Sequence, residues 1–306
     1  MGDPGADLIC GAVAILGRPN VGKSTFLNGV LQQKLAIVSP KPQTTRGSMA
    51  GIFQDADSQI VFYDTPGIHQ PKNELSHFML RQVEDSLEGS DAALFLVDAK
   101  EGLTEEDSLV AQWLGKYKKP VLCLLNKIDQ VPAGRVQELT GKITGELNGE
   151  WLVFPISALS GDGVEKVIAQ LKKFLPKQPP LFPEEDLTDK TMRELAAEMI
   201  REQCFLQLRQ EIPYGVAVMI EKFEEKEPPN PVVIEATIFV EKDGQKGIVI
   251  GAGGSQLKAL GTTARQEIEK LLGQKVFLQL WVKVLKDWRK DEQVLRKLGY
   301  PVPKKK

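Results

Sequence analysis

Eight residues, Gly17-Arg18-Pro19-Asn20-Val21-Gly22-Lys23-Ser24, fit the spacing G-x-x-x-x-G-K-[ST]. That pattern suits a phosphate. Gly17 and Gly22 let the backbone turn with no Cβ in the way, so several N–H groups can converge on one anion. Lys23 brings a compact positive charge to the β- and γ-phosphates of a nucleotide, and Ser24 offers a hydroxyl to Mg²⁺. The flanks suit the chemistry. An apolar run over 9–16 reads as a buried strand, and Thr25 to Leu31 reads as a helix whose N-terminus favours anions.

Two further clusters extend the site. Asp64-Thr65-Pro66-Gly67 follows the strand-like Ile60-Val61-Phe62. A carboxylate there can hold the Mg²⁺ shell through water, and Gly67 can offer its N–H to a γ-phosphate with no side chain between. Asn126-Lys127-Ile128-Asp129 ends another apolar run. Asp129 in the plane of a base can accept from guanine N1–H and the exocyclic amine. Adenine lacks that donor pair and would leave a buried acceptor unmet, a cost of about 1–3 kcal/mol. Lys127 can lay its stem along the base, and Ser157-Ala158 can supply a backbone N–H to guanine O6.

These clusters need elements to hold them. Strand-type runs at 49–54, 58–63, 92–97, 120–125 and 152–156 alternate with helical spacing at 75–87, 105–114, 136–147 and 164–175. That alternation predicts an α/β fold with a mostly parallel sheet covered on both faces, its ligands beyond the carboxyl ends of the strands. Every polar cluster named above falls at such an end. The expected nucleotide domain is 1–175, followed by a stiff proline-rich linker over 176–187.

Residues 188–306 follow another order, predicting an α+β domain of helix, strand, strand, short helix, long helix and strand. Thr188 is the expected first helix cap, ahead of the Met192, Leu195, Met199, Ile200 stripe. Ile248-Val249-Ile250-Gly251-Ala252-Gly253-Gly254 leads into the long helix at 255–272. A G-x-x-G turn between two helices lets a nucleic-acid backbone approach closely, as in KH domains of type II, which clamp about four single-stranded nucleotides. Lys258 is the candidate phosphate contact, and Ile248 and Ile250 are candidates for the apolar floor under the bases.

Charge agrees with this division. The chain of 306 residues carries a net −2, yet residues 231–306 hold 15 Lys and Arg against 8 Asp and Glu. Lys304, Lys305 and Lys306 supply three of those positive charges, and the segment stays basic without them. A basic second part on an acidic first part predicts that only the former meets a polyanion. No apolar run approaches a membrane span, and no secretory signal is evident. Cys10, Cys123 and Cys204 lie apart in apolar patterns and read as reduced core residues. His69 and His77 are too isolated to suggest zinc.

In their order, the first-half clusters resemble the translation-factor-like GTPases. That resemblance gives Thr45, within Gln43-Thr44-Thr45-Arg46, the switch role of closing over Mg²⁺ with Ser24 and Asp64, with Thr44 as the alternative. Where Ras-type enzymes place a water-orienting glutamine after Asp-Thr-Pro-Gly, this chain has Ile68, so unaided hydrolysis should be slow. Asn20, Lys23, Thr45 and Gly67 remain as catalytic candidates. In related GTPases without that glutamine, an asparagine at the Asn20 position helps hold K⁺, which spreads charge as an arginine finger does; a bracing role for Asn20 alone is the other reading.

Taken whole, the sequence resembles the Era family of bacterial GTPases. The resemblance rests on residues 17–25, Pro42-Gln43-Thr44-Thr45-Arg46, Asp64-Thr65-Pro66-Gly67-Ile68-His69, Glu211-Ile212-Pro213-Tyr214-Gly215-Val216-Ala217-Val218 and Ile250-Gly251-Ala252-Gly253-Gly254. It implies GTP hydrolysis, binding near the 3′ end of 16S ribosomal RNA, and a role in 30S subunit assembly and rRNA maturation. It also implies a cytoplasmic protein with peripheral membrane association. One residue departs: the family usually carries a basic residue inside the G-x-x-G turn, where this chain has Ala252. An RNA assembly factor in which GTP marks occupancy and hydrolysis is incidental is the competing reading. A GTPase acting on transfer RNA or at the membrane would not require a single-strand clamp.

Overall fold

The computed structural model describes residues 8–68, 73–146 and 151–300. His69, Leu147 and the lysines at 304–306 lie outside the described residues. The chain forms two compact units. The first comprises residues up to 36, 45–70 and 79–189; the second comprises 37–44, 71–78 and the chain from Lys190 onward.

The first unit is built on β1 (Leu8–Leu16), α1 (Lys23–Leu31), β2 (Met49–Gln54), β3 (Ser58–Asp64), α2 (Glu74–Glu88), β4 (Ala92–Asp98) and α3 (Glu105–Leu114). It continues through β5 (Val121–Asn126), α4 (Ala133–Glu146), β6 (Leu152–Pro155), α5 (Val164–Leu171) and the short β7 (Lys177–Gln178). The strands order as β2-β3-β1-β4-β5-β6, with β7 pairing on β1. Pairs from β3 through β6 are parallel, and β2 runs antiparallel to β3. Central strands buried on both faces explain the continuous apolar runs: all seven residues of β4 are buried. Phe26 of α1 packs edge-on against Phe62 of β3 at 5.9 Å between centroids.

Two expectations change here. The proline-rich segment 176–187, expected as a stiff linker between domains, is bonded to the sheet of the first unit. Cys10 N–H donates to Pro176 O, Gln178 Nε2 to Cys10 O, and Ile52 N–H to Leu187 O. Gln59, fully buried, accepts from Leu181 N and Phe182 N and donates to Phe182 O. Residues 176–189 therefore belong to the first unit. Thr188 forms a bridge with Gly51 and is not the helix cap. That role falls to Thr191, whose hydroxyl accepts from Glu194 N while Glu194 reaches back, a capping box satisfying otherwise orphaned N–H groups.

The second unit carries α6 (Met192–Gln207), β8 (Ala217–Glu224), β9 (Val232–Val240), α7 (Asp243–Ile250), α8 (Ser255–Leu272), β10 (Val276–Val284) and α9 (Glu292–Lys297). Its sheet orders β10-β9-β8, with β10 parallel and β8 antiparallel to β9. Alternate residues of β9 (Val232, Ile234, Ala236, Ile238, Val240) face a core completed by Met199, Ile200 and Cys204 of α6 and by Leu260, Ala264 and Ile268 of α8. Burying these helix stripes against one sheet face fixes the α7–turn–α8 hairpin in place. Among the described residues no helix is long and apolar enough to cross a membrane.

Candidate functional site

The phosphate loop lies between β1 and α1. The helix begins at Lys23, two residues earlier than the spacing suggested, with Gly22 left-handed at φ 104° as its N-cap. A Cβ on Gly22 would collide with Asn126 Nδ2, so glycine is required both by the turn and by the neighbour. Lys23 is 6% exposed and donates to the carbonyls of Gly17 (2.9 Å) and Arg18 (3.0 Å). Burial pulls its ammonium down to about 8, opposed by the Asp64 carboxylate. The side chain is thus held across its own loop, where an incoming phosphate can replace those carbonyls.

Three oxygen groups meet beside it. Ser24 Oγ donates to Asp64 Oδ2 at 2.6 Å and lies 3.2 Å from Thr45 Oγ1. Asp64, 1% exposed, has a second oxygen with no hydrogen-bond partner. Burial pushes its carboxyl up from the ordinary range, against the pull of Ser24, Lys23 and Thr45. Two hydroxyls and an orphaned buried carboxylate oxygen are a hard-oxygen donor set suited to Mg²⁺ with water and phosphate completing its shell. Thr44 is engaged elsewhere, bonded to Ser39 Oγ at 2.6 Å and Lys41 O at 2.8 Å.

The Asp64-Thr65-Pro66-Gly67 turn contributes unevenly. Thr65 is buried and its hydroxyl donates to Ile15 O at 2.6 Å, so it braces β1 and does not line the site. Gly67 packs on Pro19 so closely that a Cβ would come within 2.7 Å of the Pro19 backbone nitrogen. Ile68 is buried in the core with Ala14, Leu16 and Phe95. Its side chain is a packing element.

At the base end, Asn126 is buried and joins three segments. Its Nδ2 donates to Val21 O at 2.7 Å and its Oδ1 accepts from Ala158 N at 2.9 Å. Lys127, left-handed at φ 66°, donates to Asn20 O (2.7 Å) and to Asp98 Oδ2 (2.6 Å), which stretches its stem beside the loop. Asp129 is exposed; with Ile128, Val131, Ser157 and Ser160 it lines an open depression of about 410 Å³. The expected N–H for guanine O6 is not free in this structure. Ala158 N serves Asn126 Oδ1, and Ser157 N serves Asp162 O as the 157–162 loop closes on itself. Asn20, at φ 65°, holds its side chain exposed.

Sequence reasoning missed Asp98, and it named Arg18 in the loop without its acidic partners. Asp98 at the end of β4 steadies Lys127, and its only signal was an acid at a strand terminus. Arg18 is 7% exposed, and its guanidinium is held by acids of the α3 region, Asp107 and Glu101.

In the second unit the turn between α7 and α8 is exposed. Ile248 is 55% exposed, and Ala252, Gly253 and Lys258 are open to solvent. Ile250 is half-buried and packs against the core, so it is more wall than floor. Gly251 needs its left-handed φ of 73°; a Cβ there would sit 2.7 Å from Gln256 Cβ. Gly254, also left-handed, opens α8, which has no acid in its first turn and so presents a clean anion-attracting terminus.

A parallel sheet carrying these strand-end clusters, followed by a sheet with two helices joined by a G-x-x-G turn, defines a P-loop GTPase with a KH domain. Residues 12–127 match the family described as 50S ribosome-binding GTPase, and residues 211–289 match the KH domain. The GTPase Era of Alkaliphilus metalliredigens is 44% identical over 293 residues, covering 95% of this chain and 98% of that protein. That of Geobacter metallireducens is 46% identical over 290 residues, covering 95% and 97%. The chain belongs to the Era family of GTPases. A crystal structure of Era with MgGDPNP and nucleotides 1506–1542 of 16S ribosomal RNA superposes with a TM-score of 0.93 at 42% identity, over 96% of this chain and all of that one. Aquifex aeolicus Era Y63A bound to GDP and AlF4⁻ gives 0.92 at 42% identity, over 96% and 99%.

Proposed function

We propose that this GTPase binds 16S ribosomal RNA near its 3′ end through the KH turn and acts in 30S subunit assembly and rRNA maturation. Ser24, Thr45 and Asp64 hold Mg²⁺, which neutralises charge on the β- and γ-phosphates. The backbone of residues 17–25 cradles the phosphates, with Lys23 charged against them and Gly67 N–H facing the γ-phosphate. Asp129 selects guanine, with Lys127 stacked on the base. Ile248, Gly251, Ala252, Gly253, Gly254 and Lys258 take the RNA strand. Asn20 holds K⁺ as a charge-spreading group in place of the missing glutamine. The protein is cytoplasmic and meets the membrane peripherally, a reading supported by the family resemblance alone.

The observation that carries this reading is a pre-built nucleotide site and an open G-x-x-G turn, with Ile248 facing solvent, in one chain. Crosslinking to total RNA in GTP and in GDP tests it. Contacts at the 3′ end of 16S RNA are expected, and contacts elsewhere overturn it. Ile68, buried in the core, favours a second reading in which GTP is an occupancy signal. Single-turnover hydrolysis with and without the RNA fragment separates the two. Acceleration by RNA supports the switch, and equally slow turnover supports the occupancy reading. Hydrolysis in KCl and NaCl at equal ionic strength tests K⁺; equal rates remove it.

A further inference from the structure

Arg18 occupies the second position of the phosphate loop, where a small residue would leave the backbone as accessible to phosphate. Its guanidinium is nevertheless buried and held. Nε donates to Asp107 Oδ2 at 3.3 Å, and Nη2 lies 2.9 Å from Glu101 Oε2. Asp107 is fully buried at the N3 position of α3. The same Oδ2 accepts from Thr104 N (3.0 Å) and Thr104 Oγ1 (2.8 Å), completing a capping box. The carboxylate is therefore fixed to a helix end before it meets the arginine. On the other side, the Arg18 carbonyl accepts from Lys23 Nζ. A continuous chain of contacts runs from α3 through Asp107 and Arg18 to the lysine that meets the nucleotide.

Burial of such a pair is an expensive route to stability. Desolvating both charges commonly cancels the gain from pairing them, and apolar replacements are often as stable. A role in holding geometry accounts for the pair better. We propose that Asp107 and Arg18, with Glu101 as the second arm, are positioning residues for GTP binding and hydrolysis. They pin the first turn of the phosphate loop to α3, so that the loop N–H groups and Lys23 are aligned before nucleotide arrives. The inference rests on the GTPase reading of this site.

Electrostatics and positioning predict opposite signs, which makes the idea testable. Asp107 acts on Lys23 through space. Removing its negative charge beside a phosphate site should tighten nucleotide binding if charge alone matters. If it positions the loop, removal should loosen binding. The test is release of mant-GDP in Mg²⁺, followed by stopped flow, with single-turnover hydrolysis and thermal melts alongside. Asp107→Asn is expected to release mant-GDP about tenfold faster and to hydrolyse GTP several-fold more slowly. Arg18→Met should match it, and the double variant should be no worse than either single one, as coupled residues require. Asp107→Glu should recover part of the loss. Release that is unchanged or slower in Asp107→Asn overturns the proposal, as does a lower melting temperature with unchanged release. If Asp107→Asn does not fold, Glu101→Gln decides. That carboxylate is 59% exposed and lies outside the capping box. About twofold faster release supports the proposal, and parental release overturns it. A parent protein that binds no mant-GDP would instead sink the GTPase reading and leave the pair unexplained.

Discussion

The two sites of this chain are prepared in opposite ways. In the nucleotide unit the site residues already bond one another: Lys23 to its own loop, Ser24 to Asp64, Asn126 to both Val21 and Ala158. Lys23, Asp64 and Asn126 are buried, so the frame of the site is built before ligand arrives, and binding exchanges contacts within it. In the KH unit, Ile248, Ala252, Gly253 and Lys258 stand in solvent on a hairpin fixed from behind by Leu260 and Ala264. There the partner must supply the burial. A site of the first kind couples ligand affinity to the stability of the fold, whereas a site of the second kind leaves them separate.

That contrast can be broken by substitution. Asn126→Ala should have the largest effect. It leaves the Val21 carbonyl and the Ala158 N–H unmet in the interior, at about 1–3 kcal/mol each. Calorimetry should show GDP affinity falling roughly a hundredfold together with a melting temperature several degrees lower; a loss of affinity with no change in melting would break the coupling. Asp129→Asn comes next. Asp129 is exposed, so stability should hold while GDP binding weakens by roughly 50-fold and xanthosine diphosphate, which offers a carbonyl where guanine has an amine, gains.

In the KH unit, Ile248→Glu should leave the melting temperature within about a degree, since the side chain is already in solvent, and reduce affinity for a 16S 3′-end oligonucleotide about tenfold. A large drop in melting would mean that the site is not open. Ala252→Lys should strengthen that binding a few-fold and steepen the slope of log affinity against log salt by about 0.7. The smallest effect is expected away from both sites. Lys172 bonds Asp55 and Asp57 at 2.6 Å each. Against the push of burial, Lys172 and Ser58 hold the Asp55 carboxyl down at about 2. A lowered carboxylate contributes stability that is complete above its ordinary value near 4 and is lost as pH falls toward 2. Acid melts of Lys172→Met should therefore lose less stability between pH 4 and pH 2 than the parent.

The nucleotide site was largely legible because phosphate and guanine demand particular residue types at fixed spacing, and those types sit at the ends of apolar runs. The helices over 105–114 and 255–272 agree with the structure to the residue. What escaped reading was set by the backbone or by distance. The segment at 176–187 reads as a linker because prolines signal extension, yet its pairing with β1 and Gln59 uses main-chain groups that leave no side-chain pattern. Thr191-Met192-Arg193-Glu194 did carry a capping-box signature, and the earlier threonine at 188 masked it. The Arg18–Asp107 contact joins residues 89 apart, beyond any periodicity. The closure of the 157–162 loop, which takes up the Ser157 N–H, follows from turn geometry that Ser and Gly permit but do not dictate.

One consequence follows from the unpartnered Asp64 oxygen. Asp64 is 1% exposed, and one of its two oxygens has no hydrogen-bond partner in the fold. A metal–nucleotide complex satisfies that oxygen only in the native state, and so stabilises it by mass action. Resistance to proteolysis is therefore expected to rise with the concentration of MgGDP, which limited digestion across a nucleotide titration would check.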